Sequence, residues 1–346
     1  MGYNAIPESK RLRAFRNGES RNGDVMRAVF LDFGSVTRGD LDCTKLENAI
    51  SSWQYYDETS PQQIVERIKT AEVVVSSKTF LDRAVIDSAS HLKLICIAAT
   101  GYNNVDLNAA AERNIGVCNV RNYATDSVAQ HVAMLMLNLV RRFVEYQSYI
   151  KHGKWQACAH FCSLDYGIED LSGKILGIIG YGELGRAVGK IGQAFGMQLR
   201  IAEHKGQPPR SGRLSFEEVL SESDFISLHC PLTAQTHHLI TWNELALMKS
   251  TAYLINTARG KLINETDLFE SLIAGGIAGA ALDVLSEEPP TKGNILLTYP
   301  RPNLIITPHI AWTSQAARQC LLDKIADNIT HFFEGKPYNQ VPEQPE

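Results

Sequence analysis

At 346 residues the chain is long enough for two domains with substantial cores. A hydrophobic content of 44% and a charged content of 21% are ordinary for a globular protein, and a net charge of −4 gives no reason to expect nucleic acid or an anionic membrane as partner. The richest apolar run, 132–140, is too short to span a bilayer and contains Asn138, and residues 1–25 lack the apolar core of a secretory signal.

The seven cysteines are odd in number and scattered, which argues for reduced thiols in a cytoplasmic compartment rather than a disulfide framework. Cys158, His160 and Cys162 form the one tight cluster, but no second half of a zinc site lies nearby, so no metal is expected.

Residues 1–25 are polar and show no period, so we expect a disordered extension, either an appendage or an upstream start chosen in error. Folding should begin near Met26, with a first strand over 26–32. Strand and helix then alternate: a strand at 71–76, a helix at 81–89, a strand at 92–98, a helix at 107–113 capped by Asp106, and a strand at 115–118. That alternation predicts a doubly wound sheet with ligand sites beyond its strand C-termini. Thr100 and Gly101 occupy one such end and are candidates to touch a substrate, although for Thr100 a simple structural turn explains the position equally well. One long helix is expected over 127–151, capped by Ser127 and apolar nearly all round, as for a helix buried against another domain or subunit.

After an irregular stretch comes an Ile-rich strand that breaks on Gly180, Gly182 and Gly185, spaced G-x-G-x-x-G. Gly180 suits a tight turn, Gly182 lets backbone approach a pyrophosphate, and Gly185 lets helix and strand pack closely. The phosphates would sit on the open amide donors of the following helix, which begins at Glu183 and Leu184. The next strand, 198–202, ends on Glu203, eighteen residues after Gly185 and near the distance at which an acid meets the adenosine ribose hydroxyls. The order strand, turn, helix, strand, acid predicts a nicotinamide dinucleotide site. Helices at 215–222, 242–249 and 265–274 alternate with strands at 225–230, 252–256 and 279–284; a strand at 304–307 and an amphipathic helix over 314–334 close the chain.

Three loops at strand ends carry groups suited to ketone reduction: Arg259, Glu288 and His309. A guanidinium can grip a carboxylate through paired hydrogen bonds. A histidine can protonate a forming alkoxide at neutral pH, and a neighbouring carboxylate orients the ring and favours its charged form. Singly, each has a plainer explanation: a surface ion pair, a solvated loop acid, a satisfied core histidine.

From about Met26 to Gly335 the sequence resembles the D-2-hydroxyacid dehydrogenase family, in particular its glycerate dehydrogenase (hydroxypyruvate reductase) branch. The resemblance is carried by A-T-G-Y-N-N-V-D at 99–106, the glycines at 180–185, H-C-P-L-T at 229–233, N-T-A-R-G at 256–260, A-L-D-V at 281–284 with Glu288-Pro289, and T-P-H-I-A-W at 307–312. It implies that Arg259 binds the substrate carboxylate and polarises the carbonyl, that His309 is the acid/base, and that Glu288 is its partner. It also implies cofactor contacts at Gly180, Gly182, Glu183, Leu184, Gly185, Glu203, Cys230, Pro231, Thr236, Thr257, Ala258, Arg259, Asp283 and His309. The fold implied is α/β with two doubly wound domains: a Rossmann NAD-binding domain, 124–311, inserted into a flavodoxin-like substrate domain made of 26–123 and 312–346. A homodimer that exchanges helices is implied as well.

Two departures stand out. The family most often has aspartate at position 203, and here His204, Lys205, Arg210 and Arg213 follow the glutamate, so NAD is favoured while NADP stays possible. Residues 1–25 match nothing in the family. The expected reaction interconverts a small 2-oxo acid, hydroxypyruvate or glyoxylate, and its D-2-hydroxy acid. The alternatives are a dinucleotide-sensing corepressor of the same fold or a dehydrogenase of another 2-hydroxy acid. A formate dehydrogenase would pair its histidine with glutamine rather than Glu288, and the 37 residues after His309 are too few for a regulatory domain.

Overall fold

Short Val-, Ile- and Leu-rich runs become parallel strands in this computed structural model, which describes residues 25–341. The expectation for 1–25 therefore falls, Val25 apart, outside the described residues. The chain divides into two units, one running to Ala124 and resuming at Thr313, the other spanning Thr125–Trp312.

In the first unit, β1 (Arg27–Phe30), β2 (Ser52–Tyr55), β3 (Val73–Ser76), β4 (Leu94–Ile97) and β5 (Gly116–Cys118) pair in the order β2-β1-β3-β4-β5, all parallel. This is the flavodoxin-like order. The central strands β3 and β4 are buried along their whole length, as strands covered on both faces must be. Helices α1 (Thr44–Ala49), α2 (Ile64–Ile68), α3 (Arg83–Ser88) and α4 (Leu107–Glu112) link the strands. Asp82 and Asp106 cap α3 and α4 by accepting the amides of Val85 and Ala109. A helix from the far end of the sequence, Gln315–Phe333, packs in this unit: its Arg318 pairs with Asp40 at 2.6 Å, and Phe332 fills the space beside Gly116.

Sequence reading placed no element between 33 and 70, where α1, β2 and α2 lie. Helices of five and six residues are too short to display a 3.6-residue period, and β2 is a half-exposed edge strand without alternation.

The second unit begins with α5 (Thr125–Arg141) and α6 (Phe143–Lys151). The single long helix expected over 127–151 is thus two, broken at Arg142, whose φ of 51° lies in the left-handed region. Ser127 sits inside the first turn rather than capping it, and its hydroxyl donates to the Ala311 carbonyl at 2.7 Å. Only α5 has the expected burial; on α6, Phe143, Val144 and Ile150 are exposed.

Next come β6 (Ile175–Ile179), α7 (Glu183–Ala194), β7 (Gln198–Ile201), α8 (Phe216–Glu222), β8 (Phe225–Leu228), α9 (Trp242–Leu247), β9 (Tyr253–Asn256), α10 (Glu265–Ala274), β10 (Gly279–Leu282) and β11 (Leu304–Ile306). The terminal helix of the first unit is then α11. The strands pair in parallel in the order β11-β10-β9-β8-β6-β7. Leu214 adds a one-residue parallel bridge to Ala202 beyond β7, where a Rossmann sheet carries its third strand. The core of fully buried Ile226, Leu228, Leu254 and Leu268 lies on one face of this sheet, and on the other Val132, Leu135 and Met136 of α5 meet Val188 of α7. Each such side chain contributes about 1.5–3 kcal/mol by leaving water. Strands β8 and β10 each stop two residues short of expectation, so that His229, Cys230, Asp283 and Val284 begin the loops, with the His229 and Asp283 amides still bonded to the Ile179 and Asn256 carbonyls. The order of strands reverses at β6, between β7 and β8, and that switch point opens the crevice in which such folds bind ligands.

Candidate active site

The glycine turn after β6 is built by exclusion. Gly180 has a φ of 93°, and a Cβ there would stand 2.5 Å from the Cys230 amide nitrogen, so only glycine fits between the turn and the end of β8. At Gly185 a Cβ would meet the Gly180 carbonyl oxygen at 2.2 Å, which lets α7 start directly against the turn. Gly182, by contrast, faces open space, with nothing within 4 Å of an added Cβ. It is also the N-cap of α7 and makes no side-chain capping bond, so the first amides of a twelve-residue helix are turned to that space. The Glu183 carboxylate is withdrawn from it by a hydrogen bond from the Thr125 hydroxyl. A pyrophosphate suits this cradle: free amide donors, the positive end of a helix and no side chain in the way.

Two buried polar atoms around the cradle have no partner within the protein: His229 Nδ1 and Thr257 Oγ1. His229 donates or accepts at Nε2 with Ser227 Oγ at 2.8 Å, and burial pushes its pKa down to about 4, so the ring is neutral near pH 7. Unsatisfied groups like these are uncommon in a folded core and fit a polar ligand lying against them. Cys230 is half-buried, and burial pushes its thiol up to about 11. Pro231 opens a turn that Thr236 closes, donating to the Pro231 carbonyl at 2.7 Å and accepting the Thr233 amide at 2.7 Å.

At the end of β9, Asn256 shapes the loop that follows: its side chain accepts the Ala258 amide at 3.0 Å and donates to the Arg259 carbonyl at 2.8 Å. Arg259 gives one Nη1 bond to the Ala258 carbonyl at 2.7 Å. Gly260 then packs so tightly on the next loop that a Cβ would lie 1.9 Å from the Leu285 carbonyl carbon. The arginine loop and the acid loop are therefore one packed unit.

The acid loop holds Glu288, whose Oε2 is 2.8 Å from His309 Nδ1 and whose Oε1 accepts the Leu285 amide at 3.0 Å. The loop is tied down by Glu265 at the start of α10. Its carboxylate accepts the Ser286 amide at 2.7 Å, the Ser286 hydroxyl at 2.5 Å and the Asn294 side chain at 2.8 Å. His309 stands in a left-handed conformation, φ 55°, with its amide on the Asp283 carbonyl at 2.8 Å. The Asp283 carboxylate, 1% exposed, organises the same segment: it accepts the Thr307 hydroxyl and the amides of Ile310 at 2.9 Å and Ala311 at 2.8 Å. His131 of α5 adds a contact to Thr307 Oγ1 at 3.0 Å. Burial holds His131 below the usual histidine range, against the opposing charge of Asp283. Asp283 was expected to touch the cofactor; here its side chain shapes the histidine loop.

Glu203 lies where β7 ends, and its side chain is 2% exposed. Both oxygens are taken by Arg210, Nε to Oε2 and Nη2 to Oε1, each at 2.6 Å. That guanidinium and the His204 amide hold the carboxyl well below the usual glutamate range. Lys205 turns away to Glu244 at 2.7 Å. Thr100, in the first unit, directs its hydroxyl to the Val120 carbonyl at 2.9 Å, while its own carbonyl accepts the Asn119 side chain at 2.7 Å. Its side chain thus fixes the turn carrying Gly101. Among the described residues no group of three His, Cys, Asp or Glu is placed to hold a metal.

Sequence reading missed Glu265, Asn256, His131 and the Arg210 fork as parts of this edge. Asn256 stood inside a recognised motif; the others carry no local signal, because their partners lie 21 or more residues away or within an irregular loop.

Residues 133–311 match the family described as "D-isomer specific 2-hydroxyacid dehydrogenase, NAD binding domain". Glycerate dehydrogenase of Methylorubrum extorquens is 42% identical over 317 residues, covering 91% of this chain and 98% of that protein. Hydroxypyruvate reductase of Blautia hydrogenotrophica is 38% identical over 323 residues, covering 91% and 99%. Among solved structures, an acyclic imino acid reductase in complex with NADPH and D-Arg superposes with a TM-score of 0.80 at 27% identity, over 92% of this chain and 100% of that one. The chain belongs to the D-isomer specific 2-hydroxyacid dehydrogenase family and is an NAD(P)-dependent oxidoreductase that interconverts 2-oxo acids and D-2-hydroxy acids.

Proposed function

We propose that the substrate is hydroxypyruvate or glyoxylate, reduced to D-glycerate or glycolate, with Arg259, Glu288 and His309 carrying the chemistry. The observation behind the assignment of roles is the 2.8 Å contact between His309 Nδ1 and Glu288. A carboxylate on Nδ1 fixes the ring and leaves Nε2 to hand a proton to the oxygen that becomes the alcohol. Bound NAD(P)H supplies the hydride. The guanidinium of Arg259 grips the substrate carboxylate and draws electron density from the adjacent carbonyl. In alcohol oxidation His309 works in reverse, taking the hydroxyl proton. Thr100 and Gly101, at a strand end of the first unit, are assigned to substrate contact as well.

The reading is supported by relatives named glycerate dehydrogenase and hydroxypyruvate reductase, matched over nine-tenths of the chain. Its test is a panel of 2-oxo acids with NADH and with NADPH. The highest kcat/KM should fall on hydroxypyruvate or glyoxylate; a higher value on pyruvate or a longer 2-oxo acid would displace it.

The same proposal places the enzyme in the cytoplasm, where its seven free cysteines stay reduced, and makes its working form a homodimer. Support for the dimer comes from the apolar side chains that α6 and the segment after it leave in water: Phe143, Trp155, Phe161 and Leu164, the last two about nine-tenths exposed. Light scattering should report twice the 38.4 kDa chain mass; a monomer at micromolar concentration would refute it.

A further inference from the structure

The acid at the end of β7 is not available in the way its position promises. An ionised carboxylate offers about four acceptor positions. Glu203 fills them within its own loop: Oε2 takes Arg210 Nε at 2.6 Å and the Arg210 amide at 3.3 Å, and Oε1 takes Arg210 Nη2 at 2.6 Å and the His204 amide at 3.0 Å. Arg213 Nη1 stands 3.6 Å from Oε1 and donates to the Ala202 carbonyl at 3.4 Å. A pair of ribose hydroxyls could bond to this carboxylate only by displacing donors that already hold it.

The cation over it is in the opposite situation. The Arg210 side chain is 61% exposed, while that of Glu203 beneath it is 2% exposed. A guanidinium has five N–H donors, and the fork onto Glu203 uses two. With Arg210 and Arg213 set against a single carboxylate, the local charge is positive, and the exposed ring of His204 lies 3.7 Å from the same oxygen. The cluster also stands beside the cradle. Ile201 of β7 pairs with Ile178 of β6, and two residues further along each strand are Glu203 and Gly180. The surface offered at this strand end is thus the outer face of a guanidinium, with the carboxylate as its anchor underneath.

We infer that Arg210, locked in place by Glu203, is the residue that reads the cofactor's ribose, and that it accepts a 2′-phosphate, so that the enzyme takes NADPH as readily as NADH. Glu203 is in this view a positioning residue rather than the ribose acceptor. The inference rests on the assignment of the glycine cradle to NAD(P) and is independent of the substrate.

Direct binding without any 2-oxo acid tests it, by titrating NADH, NADPH, 5′-AMP and 2′,5′-ADP into the full chain and following heat or nicotinamide fluorescence. The wild type should bind NADPH within about tenfold of NADH, and 2′,5′-ADP more tightly than 5′-AMP. Arg210→Gln should weaken NADPH and 2′,5′-ADP by tenfold or more, the worth of a lost charge-assisted bond, and leave NADH and 5′-AMP within about threefold. Arg210→Lys keeps the charge without the fork and should recover part of the loss. A melting curve for each variant separates misfolding from lost recognition, and if Arg210→Gln does not fold, the wild-type pair of affinities and the Lys variant decide. Wild type that binds NADH a hundredfold tighter than NADPH overturns the inference, as does an Arg210→Gln protein that weakens both cofactors equally, since Arg210 would then only shape its loop. A wrong substrate assignment leaves all of these measurements unchanged.

Discussion

The second unit holds two acid–base pairs at strand ends, and they are built to opposite ends. Glu288 and His309 have side chains 31% and 25% exposed, meet through one 2.8 Å contact, and sit on loops held by other residues: Glu265 for the acid, Asp283 for the histidine. Glu203 and Arg210 hold each other, with four donors converging on one buried carboxylate inside a single loop. The first arrangement leaves a proton free to move while its framework stays still. The second fixes a cation in place and moves no proton. Ion pairs of similar composition thus do different work according to where the surplus of hydrogen bonds lies: outside the pair in one, within it in the other.

The comparison breaks most sharply at the histidine. His309→Ala should lower the turnover of 2-oxo acid reduction by roughly 10²–10⁴-fold, the usual worth of a positioned acid, while NADH affinity changes by less than about threefold. A variant that loses cofactor affinity in step with turnover would show that the histidine binds rather than transfers. Next in size is the framework of the working pair. Glu265→Ala removes three hydrogen bonds from the acid loop and should lower stability by about 1.5–4 kcal/mol, read from denaturant unfolding, together with a fall in kcat at nearly constant cofactor affinity. Unchanged kcat in a folded Glu265→Ala protein would mean that Glu288 is held without it.

The smallest effect belongs to the locked pair. The Glu203 carboxyl is held below its ordinary range by Arg210, so the pair's contribution is present above the unfolded glutamate range and is lost as pH falls through the lower folded value. The melting temperatures of wild type and Arg210→Gln should therefore differ by a few degrees or less near neutrality and converge in strong acid. The effect is small because the guanidinium is exposed to solvent. A difference that grows on acidification would contradict the clamp.

Much of this was legible in the sequence, and the boundary is physical. The glycine turn could be read because its residues act on their immediate neighbours: a positive φ at Gly180, a packing limit at Gly185 and open space at Gly182 are local demands. Arg259, Glu288 and His309 stood out because each lies beyond the end of an apolar strand, where a charged or titratable group is conspicuous. The break at Arg142 was hidden, since nothing in R-R-F-V forbids a helix and only packing bends the chain there. The orientation of Glu203 was hidden for a different reason. Which of several nearby cations turns toward a carboxylate depends on the path of the loop, and the structure sends Lys205 to Glu244 and Arg210 to Glu203. Supports such as Glu265 and His131 act across the fold and leave no pattern along the chain.

The working pair can be tested by one variant. With saturating NADH, hydroxypyruvate or glyoxylate reduction is followed at one pH in wild type and in Glu288→Gln. The carboxylate holds the ring through Nδ1 at 2.8 Å, and glutamine keeps a hydrogen-bonding side chain without the charge. Turnover should fall by about tenfold or more in Glu288→Gln, while NADH affinity changes by less than about threefold. Turnover that coincides in the two proteins would contradict the pairing and leave His309 to act alone.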